Sequence, residues 1–259
     1  MIKEILTYIT ENPKLVEAKK FGHLKESISL IAREKRCEKA WLPHRNQCKN
    51  FILKSLIFAQ HFDSVLILGS GPLHEIPILE LSKKFKNITC VDIVHLSSTK
   101  KSVEHLPNIE FIEHDITELE SALVRGQLDL HVPTTFLDRN WGLVMSINLM
   151  SQLPLHLEHY IKMHFKNKFS EKLIENYLKA VTSNHLLYLK SFNRPVILIT
   201  DDEIQYYSRQ DEVVESQFHL KHLDFPKNSE EWLWNLAPIP EYDKELGVKL
   251  KVKAFLLNS

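Results

Sequence analysis

The sequence predicts an α/β fold with a doubly wound, mostly parallel sheet. Short apolar runs bounded by glycine or acidic residues are separated by segments whose apolar residues recur at helical spacing. Strands that alternate with helices pair in parallel, because each helix carries the chain back across the sheet. Near the C-terminus, two runs instead alternate apolar and polar residues, as antiparallel strands do. We therefore expect a parallel sheet with antiparallel C-terminal strands and an N-terminal helical extension.

The composition sets limits on the class of protein. The 259 residues are 44% hydrophobic and 25% charged, which is enough to bury one sizeable core. Lys plus Arg and Asp plus Glu each number 33, so the net charge is zero and nucleic acid is not the expected partner. No apolar run approaches the ~18 residues that a membrane-spanning helix needs. The few cysteines and the lack of a signal-peptide core indicate a reduced, cytoplasmic protein.

The first sixty residues are predicted to be helical. Apolar residues recur at helical spacing over residues 2–9 and again over residues 24–31, among many Lys and Glu residues. We expect these helices to pack against the sheet. The predicted division is a helical cap over residues 1–60 and an α/β domain over residues 61–259.

A polar and aromatic junction interrupts this helical region. Pro43 is expected to break the helix, so that a further helix begins near Asn46. Trp41, His44 and Arg45 would then gather at a helix boundary, where they could face a ligand cleft. The alternative is that Trp41 packs in the core and the other two lie in a solvated turn.

A glycine turn follows the first predicted strand. The apolar run over residues 65–68 is too short for a helix and is typical of a strand buried on both faces. Gly69 and Gly71 come next, two of only six glycines in the chain, which indicates unusual backbone torsions or close ligand approach. Pro72 fits the first position of a helix, whose N-terminus would point at the turn.

The next two predicted strands end in carboxylates. Residues 88–91 lead to Asp92, and residues 108–115 end at Asp115. Parallel strands place the glycine turn and both acids along one edge, where open α/β sheets bind ligands. Asp92 follows Gly71 at close to the roughly 20-residue spacing at which an acid accepts hydrogen bonds from ribose hydroxyls. Asp115 could contact an adenine amino group or cap the following helix.

The remaining chain is predicted to hold a fourth strand, two long helices, a fifth strand, a hairpin and a terminal strand pair. In chain order these lie over residues 141–149, 153–165, 172–189, 195–200, 204–217, and 231–237 with 248–257. Asn148 and Gln152 follow the fourth strand and are suited to orienting a substrate by hydrogen bonds. Alternatively, they cap the helix that begins near Leu153.

No metal site is predicted. Cys37 and Cys48 flank His44 without a fourth ligand or a short Cys-x-x-Cys spacing. The histidines of the helix around His156 recur at mixed spacings. This pattern is typical of a solvated or partly buried helix face and not of a metal site.

The motifs together resemble the class I S-adenosylmethionine-dependent methyltransferases, which have a Rossmann-like fold. LILGSGP lies at the first strand, VD at the second, HD at the third and SINLMSQLP after the fourth, and the match covers roughly residues 62–200. The resemblance implies S-adenosylmethionine as the cofactor, and we expect a small-molecule acceptor selected under the helical cap. The implied cofactor contacts are Gly69, Ser70, Gly71, Glu75, Asp92, Ile93, Asp115, Ile116 and Asn148.

Within that resemblance, the two glycines let the backbone approach the methionine portion, Asp92 holds both ribose hydroxyls, and Asp115 with Ile116 flanks the adenine. The candidate catalytic residues are His44, Asn148 and Gln152.

Two positions depart from the family pattern. Ile67 replaces an acid that the family often carries in the first strand, and His74 replaces the usual small residue. Glu75, His74 or Arg45 are candidates to substitute at the amino and carboxylate ends of the cofactor.

Two other functions stay open at this level. The first is a noncatalytic protein that retains the nucleoside site and uses its helices for a partner. The second is an NAD-dependent oxidoreductase, although the third glycine of a G-x-G-x-x-G turn is replaced by His74.

Overall fold

The computed structural model describes residues 2–258. Its helices are α1 (Ile2–Thr10), α2 (Glu17–Lys20), α3 (His23–Arg36), α4 (Glu38–Ser55), α5 (Ile78–Lys84), α6 (Ser97–Ser102), α7 (Glu120–Val124), α8 (Leu153–His164) and α9 (Glu171–Ser191). Its strands are β1 (Ser64–Leu68), β2 (Asn87–Asp92), β3 (Ile109–Glu113), β4 (Leu143–Ile147), β5 (Val196–Tyr207), β6 (Val213–Phe218), β7 (Glu230–Ala237) and β8 (Gly247–Leu257).

The strands form one sheet in the order β3-β2-β1-β4-β5-β8-β7. The first five strands pair in parallel, and β8 lies antiparallel between β5 and β7. Strand order reverses between β1 and β4, so the carboxyl ends of these strands flank a crevice. The predicted fold class is confirmed, including its antiparallel C-terminal strands and its N-terminal helices.

Both faces of the parallel strands are covered. Val65 and Ile67 of β1 pack in a core with residues of α4 and α5, whereas Leu66 and Leu68 pack in a second core with residues of α9. Because successive side chains of a strand point to opposite faces, a strand covered on both sides reads as a continuous apolar run. This burial explains the run that predicted β1.

The expected break at Pro43 is wrong. Helix α4 runs without interruption from Glu38 through Pro43 to Ser55, so no new helix begins at Asn46. An interior proline costs about 3 kcal/mol. The helix offsets that cost by burying one face, including Trp41 and Phe51, in the same core as the sheet.

The expected helix start at Pro72 is also wrong. Residues 72–77 form turns, and α5 begins only at Ile78. Leu73 has a left-handed φ of 69°, and Pro77 disfavours a helical conformation at Ile76. Helix α5 therefore does not begin directly after the glycine turn.

Smaller differences concern element bounds. The fifth strand and the first strand of the predicted hairpin form one long strand, β5, and β6 pairs with its second half. The helix after Asp115 begins at Glu120, and the apolar residues Ile5, Leu6 and Ile9 of α1 are exposed, not packed against the sheet. No helix within residues 2–258 is long and apolar enough to cross a bilayer.

A buried histidine beneath the sheet makes stability depend on pH. His185 of α9 is 2% exposed, and its Nε2 lies 3.0 Å from the Ser146 hydroxyl of β4. Burial lowers its pKa from 6.5 to about 3. The unfolded chain therefore binds this proton first, and each pH unit below 6.5 costs about 1.4 kcal/mol of stability.

We expect His185→Gln to remove this contribution, since an amide can bond Ser146 without titrating. Between pH 7.5 and 5, the free energy of unfolding of the parent should fall by about 2 kcal/mol more than that of the variant, measured by urea denaturation. The exposed His105 provides the control, because His105→Gln should retain the parent's pH dependence. An identical fall in parent and His185→Gln would contradict the assignment.

Candidate functional site

A cavity opens at the carboxyl ends of β1 to β4, under α3. Its lining residues include backbone of the glycine turn, acids from two strand ends, and side chains from the start of α8. Helix α3 contributes one side through Glu26, Ser27, Leu30 and Ile31. The predicted site residues that line it are Gly69, Gly71, Glu75, Asp92, Ile93, Asp115, Ile116, Asn148 and Gln152.

The glycine turn at the centre of the cavity requires its glycines. Gly69 and Gly71 have φ values of 72° and 46°, in the region that L side chains rarely adopt. A Cβ at Gly69 would lie 2.8 Å from the carbonyl oxygen of Ile147 and from the Cβ of Leu149, whereas one at Gly71 would meet nothing within 4 Å. Gly69 therefore permits the turn after β1 to lie close to the end of β4. Gly71 leaves space beside the turn within the cavity lining.

Asp92 is joined to this turn. Its Oδ2 accepts a hydrogen bond from the Gly71 N–H at 2.8 Å, and its Oδ1 accepts one from the Ile93 N–H at 2.8 Å. Burial raises the pKa of the carboxyl, and these backbone donors oppose the rise. The Val94 N–H also favours the charged carboxylate, which still has the capacity to accept a hydrogen bond from a ligand in the cavity.

Ser70 has a different surrounding from the other turn residues. Its side chain is buried, and its hydroxyl lies 2.8 Å from Nε2 of His95, away from the cavity lining. The predicted cofactor contact at Ser70 is therefore not available to its side chain. The hydroxyl instead joins the turn to His95, which follows β2 in the chain.

The side chain of Asp115 is fully engaged within the protein. Its Oδ1 accepts from the N–H and the hydroxyl of Thr117 at 2.9 and 2.6 Å, and its Oδ2 accepts from the N–H groups of Leu119 and Glu120 at 3.0 and 2.9 Å. These four donors occupy the lone pairs of both oxygens. The structure shows the capping role at the start of α7, so the expected adenine contact does not follow from this carboxylate.

Asn148 lies at the opposite end of the cavity, directly after β4. It holds a left-handed φ of 48°, and its backbone N–H donates to the Ile199 carbonyl at 2.8 Å. A non-glycine residue in this conformation is strained, and such residues cluster at functional sites. Gln152 also lines the cavity, but its side chain does not cap α8.

A hydrogen-bonded chain fixes the Asn148 amide. The indole N–H of Trp232 can only donate, and it donates to Nδ1 of His44 at 2.9 Å. Burial lowers the pKa of His44 to about 3, so the neutral ring carries its proton on Nε2. That nitrogen lies 3.2 Å from Nδ2 of Asn148, and the amide oxygen, which has no hydrogen-bond partner among the described residues, would accept from it after a 180° turn of the amide.

His44 itself does not line the cavity. It is fully buried in α4 and stacks on Trp234 with ring centroids 4.0 Å apart. The uninterrupted helix at Pro43 places it there instead of at an exposed junction. The expectation that His44 faces a cleft is wrong, and its side chain instead contacts Asn148, which lines the cavity.

Glu75 is the first acid that follows the glycine turn in the sequence. It lines the cavity, and burial raises the pKa of its carboxyl. The two other candidate substitutes are engaged elsewhere, since Arg45 and His74 both contact the carboxylate of Glu34. Of the three, only Glu75 lines the cavity.

The sequence analysis missed a polar cluster on the side of the cavity formed by α3, α7 and α8. Nε2 of His23 contacts Oε1 of Glu120, and the rings of His23 and His156 lie 4.0 Å apart. Nδ1 of His156 lies 2.9 Å from the Phe21 carbonyl. All three side chains line the cavity. No local sequence motif predicts this cluster, because His23 and Glu120 are 97 residues apart.

No protein-family model and no curated protein matches the chain. Solved structures are similar to it. DhpI in complex with SAH shares 13% identity, with a TM-score of 0.38 and coverage of 90% of this chain and 96% of that one. A Burkholderia thailandensis 1,6-didemethyltoxoflavin-N1-methyltransferase shares 10% identity, with a TM-score of 0.37 and coverage of 95% and 92%.

The 23S rRNA methyltransferase ErmE shares 10% identity, with a TM-score of 0.34 and coverage of 80% of this chain and 67% of that one. Similarity at this level does not identify a reaction or a substrate. The function has to be argued from the residues that line the cavity.

Proposed function

We propose that this chain is an S-adenosylmethionine-dependent methyltransferase that acts on a small molecule. The observation that carries the proposal is the carboxylate of Asp92, which is hydrogen-bonded to Gly71 at the glycine turn and lines the cavity. An acid in this position accepts hydrogen bonds from both hydroxyls of a ribose. The parallel sheet with antiparallel C-terminal strands supports the same assignment, because it is the fold class that the sequence predicts together with this resemblance.

The turn after Gly71 favours this cofactor over a dinucleotide. A dinucleotide-binding turn leads directly into a helix whose N-terminus receives the pyrophosphate, and its third glycine allows close helix packing. Here residues 72–77 are turns, and the imidazole of His74 contacts Glu34 at the third glycine position. A pyrophosphate would meet neither a helix N-terminus nor a small residue.

The lining residues fit the parts of the proposed cofactor. Asp92 would hold the ribose hydroxyls, and Ile93 and Ile116 would flank the purine with apolar surface. Glu75 is the acid that would receive the amino group of the methionine portion, and the Gly69–Gly71 backbone permits its close approach. When bound, the cofactor supplies an electrophilic methyl group on a sulfonium.

The chain's own contribution to the reaction is mainly alignment. Asn148 lines the cavity, and its amide contacts His44, which Trp232 in turn holds, so the amide can orient an acceptor through a hydrogen bond. Trp234 and the apolar residues Leu30 and Ile31 restrict water at the same cavity.

The charge of the cavity supports a small neutral or cationic acceptor. Among the described residues that line it, acids recur while Lys and Arg are absent. A nucleic-acid substrate needs basic groups that neutralise its phosphates. An amine or a neutral hydroxyl compound fits this lining better than a polyanion.

Calorimetric titration with S-adenosylhomocysteine tests the proposal. We expect saturable binding at one site, with NADH binding more weakly under the same conditions. Transfer of labelled methyl groups to a panel of amines and neutral alcohols then tests the acceptor class. A folded protein that does not bind S-adenosylhomocysteine, or that binds NADH more tightly, would overturn the proposal.

A further inference from the structure

At the end of the cavity where the purine is proposed to lie, the carboxylate at the end of β3 is not free to bind a ligand amino group. Asp115 stands at the carboxyl end of β3, but four donors from Thr117, Leu119 and Glu120 fill the lone pairs of its two oxygens. A ligand amino group could bond this carboxylate only by displacing a donor that holds the start of α7. A ligand amino group in this part of the cavity therefore needs another acceptor.

Glu120 provides such an acceptor. Its side chain is buried, with the residue 3% exposed, and it lines the cavity. Oε1 contacts His23, whereas Oε2 has no hydrogen-bond partner among the residues that the structure describes. A buried carboxyl oxygen left without a partner is costly, and a ligand donor in the cavity would remove that cost.

The surroundings keep the pair uncharged. Burial raises the pKa of Glu120 to about 9, with a further rise from the neighbouring Asp115, and burial lowers the pKa of His23 to about 4. At neutral pH the carboxylic O–H at Oε1 therefore donates to Nε2 of His23. Oε2 is then a carbonyl-type oxygen, which can only accept.

His156 adds a second acceptor at this end. Burial lowers its pKa to about 4, so the ring is neutral. Its Nδ1 carries the proton, because it lies 2.9 Å from the Phe21 carbonyl, and its Nε2 is consequently an acceptor. The residues of this cluster line the cavity and hold acceptors that lack donors, which suits a ligand amino group and opposes a carbonyl oxygen at the same place.

We propose that Glu120, held by His23, recognises the exocyclic amino group of the cofactor's purine in place of Asp115. This inference rests on the proposed function and specifies how its nucleoside is selected. The contact links α3 to the site, because the residue that fixes the Glu120 rotamer is the first residue of that helix.

The test compares S-adenosylhomocysteine with S-inosylhomocysteine, in which a carbonyl oxygen replaces the amino group. We expect the parent to bind the adenine compound about 10- to 100-fold more tightly, because the carbonyl would face the Oε2 acceptor. Glu120→Leu should reduce this preference to within about threefold. Glu120→Gln should retain it, because an amide N–H can donate to His23 while the amide oxygen takes the place of Oε2.

Glu75→Leu is the matched control. Glu75 lines the cavity at the methionine end, so its loss should weaken both ligands to the same extent and leave their ratio unchanged. Calorimetry supplies all these values without a methyl acceptor, and circular dichroism confirms the fold of each variant. Glu120→Met replaces Glu120→Leu if the leucine variant does not fold.

The outcomes separate the two proposals. A parent that binds both nucleosides equally, or a Glu120→Leu variant that keeps the full preference, would overturn the role of Glu120 alone. A folded parent that binds neither nucleoside would overturn the proposed function itself.

Discussion

Gly69→Ala is expected to destabilise the protein by about 2–5 kcal/mol. A left-handed backbone costs an alanine about 1–2 kcal/mol, and overpacking against fixed atoms costs a further 1–3 kcal/mol. The added methyl would lie 2.8 Å from the carbonyl oxygen of Ile147, which belongs to β4 and cannot move without disturbing the sheet. Urea denaturation measures the loss, which is a large fraction of the stability of an ordinary domain.

Gly71→Ala is the matched control for this effect. Its φ is also left-handed, but a Cβ there meets nothing within 4 Å, so we expect only the backbone cost of about 1–2 kcal/mol. Because Gly71 lines the cavity, its methyl group should weaken S-adenosylhomocysteine binding more than it weakens folding. Equal losses of stability in the two variants would show that contact with β4 is not what requires Gly69.

Asp92→Asn is expected to weaken S-adenosylhomocysteine binding by about 1–3 kcal/mol, which is roughly 5- to 150-fold. Both oxygens of Asp92 already accept from backbone N–H groups, at Gly71 and Ile93. An amide NH₂ in place of either oxygen would face one of these donors and would also remove an acceptor for a ribose hydroxyl. Calorimetry at neutral pH measures the change.

Asp63→Asn controls for the loss of a negative charge. Asp63 is an exposed residue before β1 that pairs with Lys86, and it does not line the cavity. Its variant should bind S-adenosylhomocysteine as the parent does. If Asp92→Asn also binds like the parent while its fold is intact, the nucleoside does not occupy the end of β2.

Most of the fold could be predicted because its signals are local. The run at β1 and the glycines after it depend on burial and torsion within a few residues. The predictions that were wrong depend on contacts between residues far apart in the sequence. At Pro43 a local rule predicted a break, but Trp41 donates to the Leu236 carbonyl at 2.9 Å, and this part of the helix packs on β7. Tertiary packing outweighed the local cost.

The candidate site divides in the same way. The position of Asp92 follows from strand register, and the sequence analysis located it correctly at the cavity. The capping by Asp115 had a local signal, since an Asp followed two residues later by Thr commonly forms such a turn. The contact of His23 with Glu120 had none, because it depends on how α3 crosses the sheet edge.

The packing of α4 against β7 also bears on how the chain is synthesised. Trp41 and its acceptor Leu236 are 195 residues apart, so α4 emerges from the ribosome about 10–40 s before the strand that covers it. During that interval the indole N–H of Trp41 lacks its acceptor, and the part of the α4 surface that packs on β7 stays uncovered. Completion of the native state therefore waits for the last strands of the chain.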